Sequence, residues 1–146
     1  MIETDLKILR QKSKTFAGSQ KDLQAIIIYL ESHLNAPGIN GVGLSTIQIG
    51  IPIKIAIIRT STLSLDLYNT EILQMGGMME PTEGCLSLPN TYRKMLRART
   101  ITIRNGDGKI YHLEGFDAVV VQHEMDHWEG RLIIDKINFS PERGDI

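Results

Sequence analysis

The sequence contains a single cysteine, Cys85, so no disulfide can form within the chain and a zinc site built from two cysteine pairs is excluded. The sequence also has no large excess of positive or negative charge. The 16 Lys and Arg residues nearly balance 17 Asp and Glu residues, which argues against the basic surface of a nucleic-acid-binding protein. No apolar run approaches the roughly 20 residues that span a bilayer, and the N-terminus Met1–Asp5 is acidic rather than a basic leader. We therefore expect a cytoplasmic protein that acts on neither nucleic acid nor membranes.

With 146 residues, 42% of them hydrophobic, the chain is long enough for one domain and too short for two ordinary ones. Apolar periodicity, caps and turn residues predict a helix at 19–34, strands at 52–59 and 65–68, a loop at 75–79, a hairpin of 100–104 with 109–113, and a helix at 117–128 that Gly130 ends. Pro89 is expected to stop regular structure after Cys85, and residues 138–146 to form a flexible polar tail. The pattern indicates one α+β domain over residues 1–146, with antiparallel sheets packed around the second helix.

That second helix carries His123 and His127, which are four residues apart and therefore project from the same face. Two imidazoles in this geometry can chelate one metal ion. Glu124 is rotated about 100° around the helix, so it can reach a water on the metal without being a ligand. The alternative is a half-buried helix whose histidines are satisfied by neighbouring groups.

Cys85 is the candidate third ligand. It stands in the segment Glu83–Pro89, where Gly84 allows close approach of another backbone. Taken alone, a lone cysteine is more often a small buried apolar residue than a ligand. With two histidines, however, one thiolate leaves the fourth tetrahedral position free for water, which is typical of a catalytic metal site.

Such a metal would lower the pKa of water and supply hydroxide as a nucleophile, while Glu124 transfers protons. This is hydrolytic chemistry, and it needs donors for a developing oxyanion. The segment Gly41–Gln48 offers the side-chain amide of Gln48 for that purpose. A Gly-x-Gly followed by glutamine is weak evidence alone, since most such segments are turns.

Taken together, three segments resemble the peptide deformylases, the metallohydrolases that remove the N-formyl group from newly made proteins. The signatures of that family are Gly-x-Gly-Leu-Ala-Ala-x-Gln, Glu-Gly-Cys-Leu-Ser and Gln-His-Glu-x-Asp-His. They match Gly41–Gln48, Glu83–Ser87 and Gln122–His127, in this order and across most of the chain. The combination is far more specific than a lone His-Glu-x-x-His.

The resemblance implies that Cys85, His123 and His127 hold one divalent metal, Fe²⁺ physiologically, with Zn²⁺, Ni²⁺ or Co²⁺ able to take its place. It further implies that Glu124 is the acid and base. The side chain of Gln48 and the backbone N–H of Leu86 would stabilise the tetrahedral intermediate. The substrate would be the N-formylmethionine of nascent polypeptides, and the enzyme is expected to be a monomer.

By the same resemblance, backbone groups of Val42 and Gly84 would pair with the substrate as with an added strand, and Gly43 is also expected to bind the substrate. Val119 and Val120 would line the pocket for its methionine side chain, and Glu83 would close the rim of that pocket. Arg97 matches a family arginine that pairs with the aspartate of the helical motif, here Asp126, and the pair would orient the metal helix. A solvent-exposed arginine is the equally ordinary alternative.

The match departs from the family pattern at several positions. Ser45 and Thr46 replace the usual Ala-Ala, which is expected to put two hydroxyls beside the cleft, and Trp128 stands where leucine is normal. Nineteen residues follow His127, too few for the long C-terminal helix associated with ribosome docking, so ribosome association is doubtful. Short forms of this kind also resemble virus-encoded deformylases.

Two other functions share some of these features. A metalloprotease also uses His-Glu-x-x-His, but the Cys85 ligand and its Glu-Gly-Cys-Leu-Ser setting argue against it. A domain that has lost turnover and only binds peptide N-termini or metal is the second, and the complete set of candidate ligands argues against that.

Overall fold

The computed structural model describes residues 1–135, which form three α-helices and eight strands. The helices are α1 (Leu6–Leu9), α2 (Gln20–Leu34) and α3 (Gly115–Trp128), and a 3₁₀ helix spans Thr46–Ile49. The strands are β1 (Gly43–Ser45), β2 (Ile55–Arg59), β3 (Ser64–Tyr68), β4 (Glu71–Gly76), β5 (Thr82–Cys85), β6 (Leu88–Lys94), β7 (Thr100–Arg104) and β8 (Ile110–Glu114). Among residues 1–135, no helix is both long and apolar enough to cross a membrane.

All the strand pairs between these elements are antiparallel. The strands form three sheets with the orders β1-β2-β3, β4-β7-β8 and β5-β6. Helix α3 packs against the first two sheets, and two of its side chains meet the end of β5. The prediction of an α+β fold with antiparallel sheets around the second helix is confirmed.

Strand β2 lies in the middle of the molecule, between two helices. Ile55 and Ile57 pack in one core with the apolar stripe of α2, while Ala56 and Ile58 pack in a second core with α3. Because alternate residues of a strand point to opposite faces, a strand covered on both sides needs apolar residues at successive positions. This explains the unbroken run of apolar residues in β2.

Most of the predicted elements are present. The α2 helix begins after a capping box in which Ser19 and Asp22 each bond the other's backbone N–H, and β7 and β8 form the predicted hairpin. The strand predicted at 65–68 is β3, one residue longer. Helix α3 begins two residues before the predicted Asp117.

Three local predictions are wrong. Residues 52–54 do not join β2, because Pro52 lacks an amide hydrogen and Ile53 makes only an isolated bridge to Lys14. Met75 and Gly76 are not loop residues but end β4, where they pair with β7. Pro89 does not stop regular structure: it lies in β6, between Leu88 and Tyr92, where the register against β5 shifts and the pairing needs no proline N–H. The predicted tail at 138–146 lies outside the described residues.

Trp128, the departure from the family leucine, is accommodated in the core that α3 shares with β2, β3 and β7. Its side chain is buried, and its Nε1 lies 3.4 Å from the carbonyl oxygen of Ile55, to which it donates. The backbone carbonyl of Trp128 accepts from the N–H of Ser13 at 2.8 Å. The Trp128 ring therefore links the C-terminal end of α3 to β2, and its buried N–H has a hydrogen-bond acceptor.

Gly130 ends α3 as the sequence predicts. Its φ is 72°, its N–H donates to His127 O, and the N–H of Arg131 donates to Asp126 O, which is the bonding pattern of a Schellman cap. A β-carbon at this position would overlap the carbonyl oxygen of Arg10.

We expect Gly130→Ala to lower the free energy of unfolding by about 3 kcal/mol, because it adds left-handed strain and a backbone overlap. The matched control is Gly108→Ala, since Gly108 has a φ of 86° but open space around it. That variant should lose only about 1–2 kcal/mol. Urea unfolding of the metal-free proteins measures both, and equal losses would contradict the proposed overlap with Arg10.

Candidate metal centre

The three predicted ligands come together although β5 and α3 are far apart in sequence. One ligand atom from each of Cys85, His123 and His127 lies within 4.8 Å of the other two. The histidines meet the cysteine because they occupy one face of α3, four residues apart. The strand pairing shifts register between Gly84 and Cys85, and such irregularities re-aim a side chain.

The spacing of these atoms fits a tetrahedral metal ion. Cys85 Sγ lies 3.5 Å from His127 Nε2. Two atoms bound to one ion at the usual metal–sulfur and metal–nitrogen lengths, about 2.3 and 2.1 Å, lie about 3.6 Å apart when the angle is tetrahedral. A thiolate and two imidazoles are also ligands that first-row transition metals prefer. The described residues therefore fit a metal site with one position left for water or substrate.

The ring of His123 is oriented by Glu83. Its Nδ1 lies 2.9 Å from Glu83 Oε1. An ionised carboxylate can only accept, so the proton sits on Nδ1 and Nε2 is left for the cysteine side. Burial lowers the pKa of His123, but the bonds to Cys85 and Glu83 and the charge of Glu124 outweigh it and raise that pKa to about 10. Without metal, the ring thus holds a proton that a metal ion would displace.

Arg97 holds Glu83 and Asp126 together behind the ligands. Its Nε and Nη2 each donate to one oxygen of Glu83 at 2.8 Å, and its Nη1 donates to Asp126 Oδ2 at 2.6 Å. Arg97 is only 3% exposed, which rules out the surface arginine considered from the sequence. Burial opposes the charge of Glu83, yet the bonds from Arg97 and His123 lower its pKa to about 2.

The position of Glu83 differs from the expected pocket rim. Its carboxylate is buried, and both oxygens are occupied by Arg97 and His123. It therefore faces the back of the ligand His123 rather than open space. The pair of Arg97 with Asp126, in contrast, has the predicted geometry, and Arg131 also donates to Asp126 at 3.2 Å.

His127 is the most enclosed of the ligands. Burial, and then the charges of His123 and Arg97, lower its pKa well below the ordinary value, so the ring is neutral. Its Nδ1 has no hydrogen-bond partner within residues 1–135. A neutral ring whose Nε2 points at a thiol is prepared to bind a metal ion.

Glu124 is buried beside the ligands and close to β1. Burial raises its pKa to about 7, although the charge of His123 and a hydrogen bond from Ser45 act in the opposite direction. The hydroxyl of Ser45 donates to the backbone oxygen of Glu124 at 2.9 Å and lies 3.2 Å from its Oε1. Gly43 leaves space for the other carboxylate oxygen, since a β-carbon there would lie 2.6 Å from Oε2.

Gln48 lies in the 3₁₀ helix after β1, with its amide held at both ends. Its Oε1 accepts from the N–H of Ser45 at 3.0 Å, which assigns Nε2 to the other side. Nε2 donates to Ser87 Oγ at 3.1 Å and lies 3.7 Å from Cys85 Sγ. Sequence reasoning missed the role of Ser87, although it belongs to the Glu-Gly-Cys-Leu-Ser segment.

The remaining predicted residues lie around this centre. Leu86 is in the turn between β5 and β6, and Gly84 is in β5 next to Cys85. Val119 and Val120 are buried on α3, and Val120 Cγ1 is close to Gly43. Thr46 does not face the cleft as expected. Its hydroxyl donates to two backbone carbonyls at the start of β2, Ile53 O at 2.6 Å and Ile55 O at 3.3 Å.

We expect Arg97→Ala to lower the free energy of unfolding by about 3–5 kcal/mol, because it removes the guanidinium that pairs with the buried carboxylate of Glu83 and the half-buried carboxylate of Asp126. Arg104→Ala is the matched control, since Arg104 pairs with Glu71 on an exposed surface, where such a pair contributes less than about 1 kcal/mol. Urea unfolding measures both. Similar losses in the two variants would show that the buried network does not stabilise the fold.

Comparison with known proteins places this site in a family. Residues 1–142 match the family model described as polypeptide deformylase. The chain is 35% identical over 135 residues to the peptide deformylase of Nitrosococcus oceani, an alignment that covers 87% of this chain and 79% of that protein. It is also 30% identical over 147 residues to the peptide deformylase of Nautilia profundicola, which covers 91% of this chain and 82% of that one.

Solved structures agree with the sequence matches. The crystal structure of the peptide deformylase from Thermotoga maritima superposes with a TM-score of 0.84 at 30% identity, covering 94% of this chain and 97% of that one. A probable peptide deformylase from Synechococcus phage S-SSM7 superposes with a TM-score of 0.79 at 31% identity, covering 92% and 97%. The chain therefore belongs to the polypeptide deformylase family, the hydrolases that remove the formyl group from nascent peptides.

Proposed function

We propose that the chain hydrolyses the formyl amide of N-formylmethionyl peptides at the centre formed by Cys85, His123 and His127, with Glu124 as the acid and base. The observation that carries this proposal is the meeting of three ligand atoms within 4.8 Å, with the Glu124 carboxylate and the Gln48 amide beside them. In the reaction, water adds to the formyl carbon and the carbon–nitrogen bond breaks. The products are formate and a peptide with a free amino group.

A divalent ion held by the three ligands would polarise water and lower its pKa toward neutrality. We propose Fe²⁺ as the physiological ion, with Zn²⁺, Ni²⁺ or Co²⁺ as ions found in preparations. The ligand set supports this range, because a thiolate with two imidazoles accepts several first-row ions.

Glu124 takes a proton from the attacking water and delivers it to the amine nitrogen as the carbon–nitrogen bond breaks. Three features support this role. The carboxylate is buried beside the ligands, and its pKa of about 7 suits a group that must both accept and donate a proton near neutral pH. Glu124 also follows His123 directly, so it points away from the ligand face of α3 while staying close to it.

The side-chain amide of Gln48 and the backbone N–H of Leu86 stabilise the oxyanion that forms on the formyl oxygen. The contacts of Gln48 support this assignment, since Ser45 fixes its Oε1 and leaves Nε2 facing the cysteine. A donor that is held in place before the reaction needs no reorganisation when charge develops. Ser87, which accepts from Nε2, adds to this fixation.

The substrate backbone pairs with β1, which is an edge strand, and with Gly84 on β5. The carbonyl of Val42 already accepts from the N–H of Arg59 at 2.7 Å. Because backbone groups of successive strand residues point in opposite directions, Gly43 is the better-placed partner of the two. Val119 and Val120 contribute apolar surface for the methionine side chain of the substrate. Glu83 positions the His123 ring and is not part of the rim of that pocket.

We also propose that residues 1–146 act as one catalytic domain, as a monomer in a bacterial cytoplasm, which would be a host's cytoplasm if the chain is virus-encoded. N-formylated nascent chains, the substrates of the family, are the partner expected there. Association with the ribosome is not part of this proposal.

We expect Glu124→Gln to lower kcat for formate release from formyl-Met-Ala-Ser by at least about 100-fold, since it removes the proton carrier and keeps the shape. The protein is loaded anaerobically with Fe²⁺, and formate is measured directly. Glu114→Gln is the matched control, because Glu114 is exposed and its side chain makes no capping bond. Full activity of Glu124→Gln would refute its role, and cleavage of internal amide bonds by the wild type would indicate a protease.

We expect one Co²⁺ per chain in the wild type and less than about one tenth of that in His127→Ala, because two ligands hold such an ion poorly. His112→Ala is the control, as His112 is exposed and contacts Thr102 instead. Metal content after gel filtration measures the difference. Full cobalt occupancy in His127→Ala would contradict the ligand assignment.

A further inference from the structure

The hydroxyl of Ser45 donates its hydrogen to Glu124, the residue proposed as acid and base. Ser45 Oγ lies 2.9 Å from the backbone oxygen of Glu124 and 3.2 Å from Oε1, and Ser45 is fully buried. A hydroxyl carries one hydrogen, so these two acceptors share it. The bond to an ionised carboxylate is the stronger kind. The buried hydroxyl of Ser45 therefore donates to Glu124, the proposed proton carrier.

The alternation of β1 explains how Ser45 reaches the helix. Leu44 packs in the core with α2, so its neighbours Gly43 and Ser45 face the other way, towards α3. Gly43 lies against the carboxylate, where a β-carbon would be 2.6 Å from Oε2. Ser45 on this strand thus donates to Oε1 of Glu124, and the lack of a side chain at Gly43 leaves room for Oε2.

We propose that Ser45 is a positioning residue for Glu124, holding Oε1 so that Oε2 is the oxygen that exchanges protons with water and the leaving amine. The inference rests on the proposed role of Glu124 as acid and base. Without the hydroxyl, the carboxylate can turn about its last torsion, which is broad for glutamate. A smaller fraction of the enzyme then holds the productive orientation, which lowers kcat and leaves substrate binding alone.

The neighbouring Thr46 provides the contrast. Its hydroxyl is buried too, but its acceptors are the backbone carbonyls of Ile53, just before β2, and Ile55, the first residue of β2, and neither is a site residue. Loss of that hydroxyl removes buried hydrogen bonds of similar number from an adjacent position. Any effect that follows merely from a lost buried hydroxyl should therefore appear in both alanine variants.

The test compares Ser45→Ala with Thr46→Ala and Glu124→Gln, each loaded anaerobically with Fe²⁺ and assayed for formate release from formyl-Met-Ala-Ser. We expect Ser45→Ala to lower kcat by about three- to tenfold, with KM and metal content within about twofold of the wild type. Thr46→Ala should lower Tm and keep the wild-type kcat. Thermal unfolding of each variant is measured as well. A Tm above the assay temperature establishes that the variant is folded during the assay.

The outcomes separate the two proposals. If Glu124→Gln is inactive while Ser45→Ala keeps kcat within twofold of the wild type, only the role of Ser45 is overturned. Equal losses of kcat in the Ser45 and Thr46 variants, or a change confined to KM, would also overturn it. If Glu124→Gln stays active, the proposed proton carrier is wrong, and the role of Ser45 falls with it.

Discussion

The guanidinium of Arg97 lies between two carboxylates from different parts of the fold, Glu83 on β5 and Asp126 on α3. All three groups are largely removed from water, so each would be costly without the others. Their bonds hold the strand that carries Cys85 against the helix that carries both histidines. Because Glu83 also accepts from His123, the same network sets the orientation of a candidate metal ligand.

Helix α3 serves the core and the site at once. Its valines, with Trp128, pack against β2, β3 and β7, while His123 and His127 face the cysteine. The helix is therefore enclosed on most of its surface, and its position cannot change without moving the ligands. The hydrogen bond from the Trp128 ring to Ile55 on β2 is one of the contacts that hold the C-terminal end of this helix in place.

The positions that depart from the family pattern fall into two groups. Thr46 and Trp128 make hydrogen bonds to backbone carbonyls around β2, and they act on packing. Ser45 instead donates to Glu124, the proposed proton carrier. One residue along β1 reverses the face to which a side chain points, so two adjacent substitutions of the same kind have different consequences.

Much of this protein could be predicted from local patterns in its sequence. The spacing of His123 and His127 places them on one helical face, the turn residues at 105–108 specify the hairpin, and Gly130 ends α3. These features depend on neighbours within a few residues, so helical periodicity, turn residues and the glycine cap are enough to predict them. The three family signatures also predicted the set of candidate metal ligands. Cys85 could be included because it stands in the Glu-Gly-Cys-Leu-Ser segment, without knowledge of its distance from the histidines.

Only the tertiary structure decided which groups meet across long stretches of chain. Pro89 was expected to end regular structure, yet β6 continues through it, because the register shift against β5 leaves the residues between Leu88 and Tyr92 out of the paired positions. Glu83 was expected at a pocket rim, but the packing of β5 on α3 buries its carboxylate between Arg97 and His123. Ser45 and Glu124 are 79 residues apart, and no periodicity relates them. A local pattern fixes the face a side chain occupies, whereas its partner depends on which elements pack together.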